Sequence, residues 1–63
     1  MRRRFGITYN NDGTHRELNC VVTGEMDDGT KVWTECDNNK EPIDLDVQYI
    51  LQTRGGWCEF IRM

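Results

Sequence analysis

The residues most suited to chemistry are one histidine, His15, and three cysteines, Cys20, Cys36 and Cys58. A catalytic nucleophile or acid–base group needs a neighbour that activates it, and no local motif joins His15 to a cysteine. No two cysteines have the short Cys-x-x-Cys spacing that is typical of a structural zinc site. The sequence therefore predicts no enzyme, no metal site and no cofactor.

The cysteines also indicate a compartment. Their number is odd, and Met1-Arg2-Arg3-Arg4 is followed by no apolar stretch of the kind found in a secretion signal. No apolar run is long enough to span a bilayer. We therefore expect a cytoplasmic protein without a membrane segment, whose reduced cysteines pack as small hydrophobic side chains. A disulfide or a reactive thiol is the alternative.

The charge is distributed unevenly along the chain. The net charge is −3, but residues 25–46 carry eight acids against two lysines, which gives −6, while both ends are positive. Acidic turns that project from one side would form a face for a larger protein partner with a basic surface, or would mimic nucleic acid. A solubilising surface is the other interpretation. The candidate partner-binding residues are Glu25, Asp27, Asp28, Asp37, Glu41, Asp44 and Asp46.

A second set of residues suits nucleic acid or a small ligand. Arginines contact phosphates, and aromatic side chains stack on bases. The negative net charge argues against this function, and the arginines could equally be a solvated terminus. The candidate residues are Arg2, Arg3, Arg4, Arg16 and Trp33.

Turn residues and alternating apolar residues must position these side chains. Asp-Gly pairs at residues 12–13 and 28–29, a polar segment at 37–40 and Gly55-Gly56 are typical of tight turns. Period-two segments between them predict five short strands and an all-β domain, an antiparallel SH3-like or Sm-like small barrel. We expect a flexible basic N-terminus at 1–4 and one domain at 5–63. The predicted core consists of Phe5, Ile7, Leu18, Val22, Val32, Leu45, Val47, Leu51, Phe60 and Ile61.

The segment 43–53 is ambiguous. Apolar residues occupy its odd positions from Ile43 to Leu51, which favours a strand. Pro42 followed by acidic residues could instead begin a helix. The prediction is a strand that ends in a short helical turn near 49–53.

Part of the chain resembles WYL domains, which are Sm-like barrels that serve as sensor modules in bacterial and phage regulators. The resemblance runs from the strand and glycine turn at 7–18, through Val32-Trp33, to the segment 43–50. Thr34 and Glu35 stand where the family continues its Trp-Tyr-Leu triplet. Two family positions match here, Arg16 and Trp33, and the resemblance implies ligand or nucleic-acid binding through them.

Two functional hypotheses follow. The first is a non-enzymatic protein-binding module with an acidic hairpin face, such as a small phage or mobile-element protein that inhibits or modulates a host complex. The alternative is a WYL-like regulatory module that binds nucleic acid or a ligand. Self-association through an open barrel edge or the strand Trp57–Ile61 would make the chain a homo-oligomer.

Overall fold

The computed structural model describes residues 2–63, which form five β-strands and no helix. The strands are β1 (Arg3–Tyr9), β2 (His15–Glu25), β3 (Lys31–Glu35), β4 (Tyr49–Arg54) and β5 (Trp57–Arg62). They form one closed barrel in the order β1-β2-β3-β4-β5. This confirms the predicted all-β class and five-stranded small barrel. The first strand includes Arg3 and Arg4, so the barrel starts before the predicted boundary at residue 5, and Met1 lies outside the described residues.

Residues 2–63 contain no helix with the length and apolarity needed to cross a membrane.

The odd number of strands makes the closing pair of the barrel parallel. Each sequential pair is antiparallel, so β1 and β5 run in the same direction, and Ile7 pairs with Glu59 as the one bridge between these strands within residues 2–63. A Cβ on Gly6 would lie 2.8 Å from the carbonyl oxygen of Cys58 and 2.8 Å from Cε2 of Phe60. Both distances are below normal non-bonded contact. The barrel can therefore close here because residue 6 has no side chain.

The predicted turns occur where their sequences place them. Asp28 accepts a hydrogen bond from the backbone N–H of Thr30 at 2.9 Å, and Gly29 takes a φ of +90°, a value that glycine adopts without strain. Asp12 accepts a hydrogen bond from the backbone N–H of Thr14 at 3.0 Å in the turn between β1 and β2. These local hydrogen bonds fix the register of both hairpins.

The segment 43–53 differs from its prediction. Strand β4 begins at Tyr49, residues 49–53 form strand and not a helical turn, and residues 43–48 form a loop. Asp44 accepts a hydrogen bond from the backbone N–H of Asp46 at 3.0 Å, which makes a turn in place of extended backbone. Leu45 therefore lies on the surface, and its assignment to the core was wrong.

The core lies inside the barrel around Phe60. Its ring contacts the rings of Trp33 and Tyr49 edge to face, with centroids 5.8 and 6.1 Å away, a favourable arrangement for aromatic pairs. Leu18 and Cys20 complete the buried cluster, with Val22, Val47 and Leu51 packed against it.

The predicted core is only partly correct. Leu18, Val32 and Phe60 are buried, whereas Phe5 and Ile61 are exposed, so their assignment to the core was wrong. Gly6 and Thr8 face the interior from β1, because Phe60 occupies the space that a large inward side chain on this strand would need. The alternation along β1 was recognised, but its two faces were exchanged.

Candidate functional site

The seven acidic residues lie in two groups, one on each side of β3 in the chain. Asp27 and Asp28 lie in the turn that precedes β3, whereas the other acidic turn residues lie in the loop that follows it. Successive connections of antiparallel strands emerge at opposite ends of the strand they share, and five residues of β3 span about 17 Å. The two acidic connections therefore start from opposite ends of β3, and a shared acidic face stays a prediction. The group in the loop after β3 comprises Asp37, Glu41, Asp44 and Asp46, which we call the acidic loop.

Several of these acids make local hydrogen bonds. Asp37 accepts from the backbone N–H groups of Asn39 and Glu41 at 2.9 and 3.0 Å, and Glu25 forms an ion pair with Lys31 across the β2–β3 hairpin. The hydrogen bond from the backbone N–H of Thr30 is the main cause that lowers the pKa of Asp28. Asp28 and Asp37 thus have a local role in forming their turns, and Glu25 has one in the hairpin.

A surface with large apolar side chains lies on the outside of β1 and β5. The exposed fractions are 57% for Phe5, 53% for Tyr9 and 51% for Trp57, and Ile61 is also exposed. Ile7 pairs with Glu59 in a parallel arrangement. Phe5 and Trp57 each lie two residues before this pair and therefore neighbour each other on the outer side. Tyr9 and Ile61 lie two residues after it and are neighbours for the same reason. We call Phe5, Tyr9, Trp57 and Ile61 the aromatic face.

Glu59 lies between these residues on the same outer side of β5. It is only 7% exposed, and its Oε2 is buried without a hydrogen bond. The Nε of Arg54 lies 3.1 Å from this oxygen, within ion-pair distance but not aligned to donate. The carboxylate therefore has an acceptor that receives no hydrogen bond, and a donor from outside the chain would reach it only after the side chains that cover it move.

The arginines of the second candidate set lie in three places. Arg2 and Arg4 line a cleft of about 220 Å³ at one mouth of the barrel, together with Trp33. Arg3 lies between them in sequence and its side chain extends to the other side of β1, since successive residues of a strand alternate. Arg16 lines a different cleft of about 350 Å³ at the opposite mouth. Sequence reasoning grouped residues that the barrel separates.

Arg16 is held by a neighbour. Its guanidinium donates two hydrogen bonds to the carboxylate of Glu35, at 3.0 and 3.1 Å, and these bonds are the main cause that raises the pKa of Arg16. The two parallel hydrogen bonds hold the guanidinium in place, and the carboxylate neutralises part of its charge. Trp33 is buried in the core and presents only part of its ring to the cleft at the other mouth.

Packing accounts for the positions of the cysteines and the histidine: two cysteines are buried, and His15 contacts Tyr9 of the aromatic face. Cys20 and Cys36 are buried, as predicted, Cys58 is half-buried, and all three are free thiols. Burial raises the pKa of Cys20 to about 12 and also raises that of Cys36, so both remain protonated at neutral pH. His15 contacts the ring of Tyr9 edge to face, with centroids 6.2 Å apart. Within residues 2–63 no three His, Cys, Asp or Glu side chains form a group that could hold a metal ion.

Comparison with known proteins finds no matching family model, no similar curated protein and no similar solved structure.

Sequence reasoning missed the aromatic face and Glu59. One signal was present, because Glu59 is the charged residue inside the apolar segment Trp57–Ile61. Its burial, however, depends on strands that are distant in sequence, and these become neighbours only when the barrel closes.

Proposed function

We propose that this chain is a non-enzymatic protein-binding module whose interface is the aromatic face around Glu59. The observation that carries the proposal is the buried Oε2 of Glu59, which accepts no hydrogen bond and lies among large exposed apolar side chains. Aromatic side chains are enriched at the centres of protein interfaces. A buried acceptor that receives no hydrogen bond costs about 1–3 kcal/mol. The ion pair with Arg54 offsets part of this cost, and an aligned donor on a bound protein would remove the rest.

The partner's chemistry follows from this arrangement. Its contact surface is apolar around one central donor, and an arginine or lysine would be favoured because the acceptor is a carboxylate. The net charge of −3 and the acidic loop would accelerate the approach of a basic protein through long-range attraction. The partner is therefore a protein with a basic surface, as the charge pattern of the sequence predicts.

A different protein fits this surface better than a second copy of the chain. A symmetric dimer through the aromatic face would bring the same patch of both subunits together. Two Glu59 carboxylates would then approach the two-fold axis, where like charges repel. Self-association is thus an outcome that the experiments must test.

The subclass of the barrel, the cellular compartment and the family resemblance are also proposals. Five sequential strands in a small closed barrel support an SH3-like or Sm-like fold, and three free thiols support a reducing, cytoplasmic compartment. The WYL resemblance stays a hypothesis on its two matched residues, Arg16 and Trp33.

Binding of nucleic acid or a small ligand is the second candidate function. It is supported by one observation, that Arg2, Arg4 and Trp33 surround a single cleft. Arg16 lines the opposite mouth, so the two matched residues do not belong to one site.

Affinity capture with matched variants tests the main proposal. The bait is the tagged chain, and the test variant carries Phe5→Ala and Trp57→Ala, two exposed side chains whose loss leaves the core intact. The control variant carries Ile43→Ala and Leu45→Ala, which are also largely exposed but lie on the acidic loop segment. We expect a protein that wild type and control capture and that the test variant loses, and sedimentation of the purified chain should give a monomer.

Glu59→Gln then separates charge from shape. It keeps the acceptor and removes the charge, so binding to an arginine or lysine should weaken about tenfold or more. Equal capture by wild type and the Phe5→Ala, Trp57→Ala variant would refute the proposed interface. If the chain forms a dimer and that variant does not, the occupant of the aromatic face is a second copy of the chain and not a different protein.

A further inference from the structure

The pleat of β1 separates the three consecutive arginines of the sequence. Arg4 is on the same side of the strand as the buried Gly6 and Thr8, and Arg2 lies two residues earlier, so both extend over one mouth of the barrel. Arg3 lies on the opposite side, where its charge acts on the thiol of Cys36. A sequence that reads as one basic cluster is thus two separate features.

Arg2 and Arg4 line the cleft of about 220 Å³ together with Thr30, Lys31, Trp33 and Leu51. Lys31 forms an ion pair with Glu25, whereas no carboxylate within residues 2–63 lies within ion-pair distance of Arg2 or Arg4. The cleft therefore has an excess of positive charge in a chain whose net charge is −3.

The floor of this cleft is apolar. Trp33 belongs to the buried core, and Leu51 packs against that core. Charges above an apolar floor interact more strongly with an anion than they would in open water. Thr30 lies at the rim, and its hydroxyl interacts with the carboxylate of Asp28.

We propose that this mouth of the barrel binds the phosphate group of a small, nucleotide-sized ligand. Guanidinium groups match the geometry of phosphate oxygens and donate two hydrogen bonds at once. The volume is below the roughly 300–1,000 Å³ of sites that enclose drug-sized ligands. It accommodates one phosphate and part of the group that carries it, with the ring of Trp33 beneath. This site is separate from the aromatic face and does not depend on it; the inference rests on the second candidate function, binding of nucleic acid or a small ligand.

Trp33 makes the site directly observable. The chain has two tryptophans, and Trp57→Phe leaves Trp33 as the one fluorescent indole, at the floor of the cleft. The full chain with this substitution is titrated with inorganic phosphate, adenosine 5′-monophosphate and a short single-stranded oligothymidylate at constant ionic strength. We expect a saturable change of Trp33 fluorescence with the mononucleotide, at lower concentration than with inorganic phosphate.

The adjacent arginines supply the matched control. Arg2→Gln with Arg4→Gln should weaken mononucleotide binding about tenfold or more, since each arginine contributes charged hydrogen bonds. Arg3→Gln removes the same charge from the other side of the strand and should change binding less than about twofold. Arg2→Gln alone, at a position that precedes β1, keeps the test valid if the double variant does not fold.

Three outcomes would overturn the proposal. One is the absence of saturable fluorescence change with either phosphate or the mononucleotide. Another is equal weakening by Arg3→Gln and Arg2→Gln, which would indicate a diffuse effect of charge. The third is binding confined to oligothymidylate, which would replace the nucleotide-sized ligand with a nucleic-acid strand.

Discussion

Gly6 is the position at which a single methyl group should open the barrel. In Gly6→Ala the new Cβ would lie 2.8 Å from the carbonyl oxygen of Cys58 and 2.8 Å from Cε2 of Phe60. The carbonyl belongs to the backbone of β5 and the ring belongs to the core, so neither contact can relax through rotation of a surface side chain. The pair β1–β5 would have to move apart at the bridge between Ile7 and Glu59.

The expected loss is large for a domain of this size. Overpacking of an interior typically costs about 1–3 kcal/mol, while alanine in place of glycine returns about 0.4–1 kcal/mol by restricting the unfolded chain. A net loss of about 1–2 kcal/mol compares with a total stability of roughly 3–9 kcal/mol for a chain of this length. The melting temperature should fall by about 4–8 °C for each kcal/mol lost.

Urea unfolding followed by circular dichroism measures this effect, with Gly24→Ala as the control. Gly24 lies in β2, and a Cβ there would have its nearest neighbour at an ordinary 3.7 Å, on Val32. The control should be as stable as wild type or slightly more stable. If Gly6→Ala unfolds at the same urea concentration as Gly24→Ala, the close approach of β1 and β5 at residue 6 is refuted.

Three further changes test other parts of the structure. Glu59→Leu should raise the free energy of unfolding by about 1 kcal/mol, because burial of this carboxylate costs more than its ion pair with the exposed Arg54 returns. A lower urea midpoint would show that Glu59 stabilises the free chain. Ile43→Ser combined with Leu45→Ser should change that free energy by less than about 0.5 kcal/mol, since both side chains are largely exposed; a greater loss in urea unfolding would mean that they pack. The pKa of Cys20 is raised by folding to about 12 from 9.0, so its contribution is complete below pH 9 and is lost as the pH rises toward 12. The urea midpoint should therefore fall between pH 8 and pH 10.5 more steeply for wild type than for Cys20→Ala, and equal slopes would contradict the burial of this thiol.

The turns could be predicted from sequence because their causes are local. Asp28 and Gly29 form their turn through a hydrogen bond and a φ angle that involve only adjacent residues. The alternation around Leu18 and Cys20 likewise identified both the strand and its inward side. Five such segments joined by tight turns were enough to predict a small barrel.

The orientation of β1 could not be predicted in this way. Phe5 and Ile7 are the larger side chains and are predicted to lie inside, yet Gly6 and Thr8 occupy that side. The reason is Phe60, which is 54 residues away from Gly6 in sequence and fills the interior opposite it. A period of two shows that a strand has two faces, but the volume available inside depends on strands that are distant in sequence.

The candidate sites depended on the same long-range information. The acidic turns could have been placed at opposite ends of β3 from connectivity alone, and Arg3 could have been separated from Arg2 and Arg4 if β1 had been extended to them. Glu59 is different, because nothing in its local sequence shows that its carboxylate is buried without a hydrogen bond. That property arises from the closure of β1 against β5.

Photo-crosslinking from the aromatic face tests the central claim most directly. p-Benzoylphenylalanine replaces Trp57 in one version of the chain and Leu45 in the other. Both positions are largely exposed; the first belongs to the aromatic face and the second lies in the acidic loop segment. We expect a crosslinked adduct with a basic protein from position 57 and a much weaker one, or none, from position 45. An adduct from position 45 with none from position 57 would contradict this expectation and assign the interface to the acidic loop.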